Sequence, residues 1–251
     1  MGLKPSQTDV ALRLRQPPPR LRESASGRIR PAANLSGPNS ATIVSPVRPV
    51  SDFDRIASHL AVWHGYDSAV KADLYSTCVL TPRGAYLVDP IPLQRETLDE
   101  LLGSSRVSGI IVTSSNHHRA SAEFADQFSI PVFARCETFS DKIPRQFRKV
   151  ADGDEICDGL LLSGIEGAAA GEIVLHYAPS GGTLIGGDAL INFEPYGFTF
   201  LPAKYCSNEK EMRRSLRKLL GSKADRMLFA HGLPILSGAS DRLQALLESD
   251  A

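Results

Sequence analysis

A chain of 251 residues, 42% hydrophobic and 22% charged, is long enough to bury a full-sized core and has the composition of an ordinary soluble protein. Its 28 Lys+Arg offset 28 Asp+Glu, so the net charge favours neither a nucleic acid nor an anionic membrane as a partner. No apolar run has the length of a secretory signal or a membrane span, and the expected compartment is the cytoplasm.

The charge is unevenly spread. The first 50 residues hold eight Lys+Arg against two acids, eight of the 17 prolines including Pro17-Pro18-Pro19, and no aromatic residue. Such a segment buries too little surface to offset the entropy of ordering it. Residues 1–50 are therefore expected to be a disordered basic tail, and 51–251 a single domain. The tail's Arg-rich character also resembles a transit peptide, although the prolines interrupt any long amphipathic helix; a start of translation near Val47 or Val50 is a further reading. Cys78, Cys136, Cys157 and Cys206 form no C-x-x-C pair and read as buried small hydrophobes.

In chain order, Leu74 to Thr81 and Ala85 to Val88 are β-rich runs joined by Pro82-Arg83-Gly84, which predicts a hairpin. Leu98, Leu101 and Leu102 share one face of a helix over 95–102 that Gly103 stops. A strand over 108–113 follows, then a helix over 120–128 with Ala120, Phe124 and Phe128 spaced i, i+4, i+8, then a short strand over 130–134. Residues 139–149 read as a basic surface helix and turn. A turn at 152–154 precedes β-runs over 160–165, 171–177 and 183–188. Residues 209–220 form a helix with a basic outer face, read as solvated because no aromatics interleave the charges. A strand over 226–230 leads to His231-Gly232, and Ser240 is the expected N-cap of a last helix carrying Leu243, Leu246 and Leu247.

The stretch around which these pieces are organised is Val107 to Ser121, V-S-G-I-I-V-T-S-S-N-H-H-R-A-S. It runs from strand through a polar loop into a helix, the place where α/β proteins hold ligands. Together with L-V-D-P at 87–90, G-E-I-V-L-H at 171–176, G-G-D-A-L at 186–190 and F-A-H-G-L-P-I at 229–235, it resembles the metallo-β-lactamase fold over nearly all of residues 60–250. The resemblance implies an α/β four-layer αββα sandwich, with one or two zinc or iron ions that activate water for hydrolysis.

Departures from the family motif T-H-x-H-x-D-H are extensive. Its histidine positions fall on Ser114, Asn116 and Arg119, its aspartate on His118, and a further family histidine falls near Ala168. Asp188 and His231 remain as ligands. Two ligands are fewer than a catalytic zinc needs, and a guanidinium repels a cation. The reading favoured on sequence is thus a degenerate, non-catalytic or small-anion-binding member with no cofactor. In it Arg119, or a protonated His118 or His231, pairs with Asp188 and closes the cavity, while Asn116, His117 and Arg119 line a binding site. The alternative is a mononuclear hydrolase of an ester, thioester or amide. It would use His118, Asp188 and His231 both as catalytic groups and as ligands of one zinc or iron ion. A small molecule is the expected partner. Asp89 reads as an anchor for backbone donors, and Trp63 with His64 is placed at one edge of the cavity.

Overall fold

The computed structural model describes residues 47–249. Of the tail expected over 1–50, residues 1–46 lie outside the described residues. Val47 and Val50 pack against the core, and Val50 pairs with Leu93 as an isolated bridge.

The first sheet runs in spatial order β1 (Asp54–Ala57), β2 (Leu60–Asp67), β3 (Ala72–Thr81), β4 (Gly84–Val88), β5 (Val107–Ile111), β6 (Val132–Ala134), β7 (Phe147–Lys149). β1 to β4 form an antiparallel meander joined by short turns, as hairpin chemistry requires, and β4 to β7 are parallel. The crossover from β4 to β5 is α1 (Arg95–Leu102), and that from β5 to β6 is α2 (Ser121–Phe128). The second sheet has the order β14 (Arg226–Phe229), β11 (Thr183–Gly186), β10 (Ile173–Tyr177), β9 (Leu160–Gly164), β8 (Glu155–Cys157). A separate hairpin, β12 (Leu190–Phe193) with β13 (Gly197–Phe200), follows β11. α3 (Glu209–Leu216), prolonged by a 3-10 turn over Arg217–Gly221, and α4 (Ala239–Glu248) complete the fold.

Alternation along the strands explains the layers. Leu60 and Val62 of β2 and Ile111 of β5 meet Leu160, Leu162, Ile173, Leu175, Ile185 and Leu228 between the sheets. Their neighbours point the other way: Ala61, Trp63 and Ile110 pack under Leu98 and Leu101 of α1 and Phe124 of α2. On the far side Val174, Leu184, Met227 and Phe229 pack under Met212 and Leu216 of α3 and Leu243 and Leu247 of α4. A strand buried on both faces reads as a continuous apolar run, and this packing turns those runs into helix, sheet, sheet, helix.

Several sequence expectations change. The helix expected over 139–149 is absent: a 3-10 turn covers Cys136–Thr138, and Phe147–Lys149 is an edge strand. Ser240 sits inside α4, whose N-cap is Gly238; the Ser240 hydroxyl accepts the Ala224 amide instead. Trp63 is buried in the core under α1 and α2, with its indole N–H donating to Ile91 O at 3.1 Å, rather than edging the cavity. Cys78 and Cys157 are buried, but Cys136 is exposed. The basic face of α3 and its extension has intramolecular partners, with Arg213 on Glu209, Arg217 on Leu247 O and Lys218 on Asp152. No described helix is long and apolar enough to cross a membrane.

Candidate metal centre

Four chain segments meet at one edge of the sandwich, and each leaves the carboxyl end of a strand: Asp89 after β4, 113–119 after β5, Asp188 after β11, His231 after β14. β4 runs parallel to β5, and β11 to β14, so within each sheet these ends lie side by side. Parallel pairing thus places the polar loops together, as in other α/β ligand sites.

His117 is the centre of the cluster and is buried. Its Nδ1 lies 3.0 Å from Asp89 Oδ2 and 2.8 Å from Thr113 Oγ1, and its Nε2 lies 3.1 Å from Asp188 Oδ1. Asp89 is held by its neighbours in turn: Oδ1 accepts the Thr113 amide at 2.8 Å, and Oδ2 accepts the Thr113 hydroxyl. His231 presents Nε2 to the same Asp188 oxygen at 3.5 Å, with Nδ1 3.3 Å from Asp73 O. Asn116 Nδ2 donates to the other Asp188 oxygen at 2.8 Å. One ligand atom from each of His117, Asp188 and His231 lies within 4.8 Å of the others.

The electrostatics follow from this enclosure. Burial alone would lower the His117 pKa, but the Asp188 and Asp89 carboxylates raise it to about 9. Burial would raise that of Asp188, yet His117, then His231 and Asn116, hold it well below the usual carboxylate range. His231 is pushed down to about 4 by burial, followed by the charges of His117 and Arg119, so it is neutral at pH 7 with Nε2 free to bond. Burial, then the charge of Asp188, raises the Glu172 carboxyl well above its ordinary value.

The sequence-named residues are distributed differently from expectation. His118, expected as ligand and catalytic group, turns away: its Nε2 meets Thr138 O at 2.8 Å and its ring stacks on Phe139 at 4.6 Å. Consecutive residues in a turn diverge, and it is His117 that faces inward. Arg119 does not pair directly with Asp188. Its guanidinium donates to Tyr75 O at 2.5 Å, Asp89 O at 3.0 Å and Ala230 O at 3.2 Å, tying both sheets together with Arg119 itself at φ 39. Asn116, Asp188 and His231 stand in the cluster. The sequence reading missed Thr113 and Glu172 and gave Asp89 no link to a histidine. A lone glutamate at the head of the apolar run I-V-L-H-Y was the available signal for Glu172.

The donor set, two imidazole nitrogens and one carboxylate oxygen, fits a single zinc or iron ion. Among the described residues the cluster offers too few groups for two.

A family model described as the metallo-beta-lactamase superfamily matches residues 53–250. Among curated proteins none matches the sequence significantly. Solved structures share the fold at low identity. The DIM-1 metallo-beta-lactamase has a TM-score of 0.64 at 17% identity, covering 83% of this chain and all (100%) of that one. The metallo-beta-lactamase family protein TTHA1429 from Thermus thermophilus gives 0.58 at 18%, covering 78% and 80%. A beta-lactamase domain protein from Burkholderia ambifaria gives 0.60 at 14%, covering 82% and 79%. With strand ends, interlocked sheets and a family match that spans nearly all the described residues in agreement, the chain belongs to the metallo-beta-lactamase superfamily.

Proposed function

We propose that this protein is a mononuclear metal-dependent hydrolase of a small ester, thioester or amide, with His117 Nε2, His231 Nε2 and Asp188 Oδ1 holding one zinc or iron ion. The observation that carries this reading is the orientation of the two rings. Each histidine spends Nδ1 on a protein oxygen, Asp89 for His117 and Asp73 O for His231, and turns Nε2 toward the same Asp188 oxygen. That is the arrangement by which a second layer of acceptors fixes the tautomer and aim of metal-binding imidazoles. Asn116 does the same for the carboxylate by holding its other oxygen.

When bound, such an ion polarises a carbonyl and makes water nucleophilic at neutral pH. The chain's own groups prepare the site. Asp89 keeps the Nδ1 proton on His117, the Asp73 carbonyl keeps that on His231, and the Arg119 guanidinium offsets the nearby carboxylates. His117 must also release the proton on Nε2. With a pKa of about 9, that release costs about 3 kcal/mol at neutral pH. That proton makes loading pH-dependent, with affinity rising as pH approaches 9.

A second reading rests on the same ring. His117 lies between two carboxylates, and a doubly protonated imidazolium there, together with the Arg119 guanidinium, balances them without metal, leaving a non-catalytic, small-anion-binding member. Metal analysis after zinc and iron supplementation separates the two. The hydrolase reading expects about one ion per chain, lost in H117A, D188A and H231A and kept in H118A. No bound ion in the supplemented wild type would overturn it in favour of the imidazolium.

A further inference from the structure

Glu172 is fully buried, and no ligand role explains it. Its carboxyl Oε1 accepts the Ala189 amide at 2.9 Å, and Oε2 finds no hydrogen-bond partner among the described residues. Ala189 directly follows Asp188. The backbone around Glu172 meanwhile bonds the loop that carries His117: Ser115 N donates to Ala170 O, and Ile173 N to Thr113 O, both at 2.9 Å. Gly187 lets these parts close up, since a Cβ there would lie 2.6 Å from Thr113 Oγ1 and 2.8 Å from Glu172 Oε1.

One short segment, 170–173, therefore holds two of the loops that bring groups to the cluster. Its backbone holds the loop of Asn116 and His117, and its one buried acidic side chain holds the loop of Asp188. Oε1 is the acceptor in either protonation state of the carboxyl, so the link to the Asp188 loop is set by the geometry.

We infer that Glu172 is a positioning residue of this centre, whose acceptance of the Ala189 N–H sets the place of the Asp188 carboxylate. The inference rests on the metal-binding reading for its functional consequence, while the bond itself can be followed without metal.

The test compares E172Q and E172L in the full chain. Gln keeps a neutral acceptor; Leu fills similar volume and has none. Zinc affinity is measured by chelator competition, and protection of the Ala189 amide by hydrogen exchange on the metal-free protein. E172Q is expected to keep zinc affinity within about threefold and to keep Ala189 protected. E172L is expected to bind zinc about 10- to 100-fold more weakly, the usual effect of losing a supporting group around a metal site, and to expose the Ala189 amide. Wild-type affinity in E172L would overturn the positioning role. Loss in E172Q equal to that in E172L would overturn the role of the Ala189 bond, because Gln keeps an acceptor oxygen there and Leu does not. If the wild type binds neither zinc nor iron, the hydrolase reading fails by itself, and Ala189 exchange decides the inference: protection kept in E172Q and lost in E172L upholds it, and equal protection in both overturns it.

Discussion

Arg119 and His117 differ by two positions and have opposite tasks. Arg119 spends its guanidinium on three backbone carbonyls, at Tyr75 and Asp89 of the first sheet and Ala230 of the second. R119A would remove three bonds at a half-buried seam where Ser76 Oγ still donates to Asp89 O and Tyr75 N to Ala230 O, and we expect a loss on the order of 2 kcal/mol in urea unfolding, with R119K intermediate because a point charge cannot span the fork. An unchanged melting temperature in R119A would show that the seam closes without it. His117 governs pH dependence. Its pKa rises from 6.5 to about 9 on folding, so its contribution to stability is fully present below pH 6.5 and is lost as pH rises through 9. The urea midpoint of chelator-treated protein should accordingly fall between about pH 7 and pH 9.5. In H117Q that alkaline fall should be smaller, the remainder coming from the raised Glu172 carboxyl.

At the scale of elements, the loops work because their backbones come close together. Gly232 has φ 104, and a Cβ there would strike the Asn192 carbonyl of β12. The same contact region carries Asn192 N to His231 O at 3.3 Å and Leu233 N to Asn192 O at 2.7 Å, so the β12–β13 hairpin clamps the loop of His231. G232A should cost about 1–3 kcal/mol and shift the histidine. The measurement is thermal unfolding together with zinc stoichiometry; a variant with wild-type values for both would show that the loop has slack. The helix expected over 139–149 failed for a related reason. A basic, mixed segment has no clear period of its own, and its last three residues became strand only because β6 offered an edge.

For the whole molecule, the cluster is a joint between two sheets. Asp89 and His117 come from the first and Asp188 and His231 from the second, so the site exists only when the layer between them is packed. Leu175, with no exposed surface, lies in that layer. L175A should destabilise by about 2–5 kcal/mol in urea unfolding. Zinc, binding only the folded state, should raise the melting temperature of wild type and of L175A alike. A melting temperature indifferent to zinc in both would count against a site formed from the two sheets.

Much of the frame was legible in the chain because it is local. Apolar runs, turn residues and helical spacing located β3, β4, α1, α2 and β10 to within a residue or two, and the order of motifs pointed to the αββα sandwich. Asp188 and His231 could be named from motifs that survive. What only the tertiary structure decided is which of two adjacent histidines turns inward, where Arg119 spends its charge, and that Glu172 holds the amide of Ala189, 17 residues further along the chain. Those outcomes depend on the rotation of a short turn and on contacts across two sheets. Neither leaves a periodic trace in the sequence, because the energy that selects them comes from partners far away along the chain.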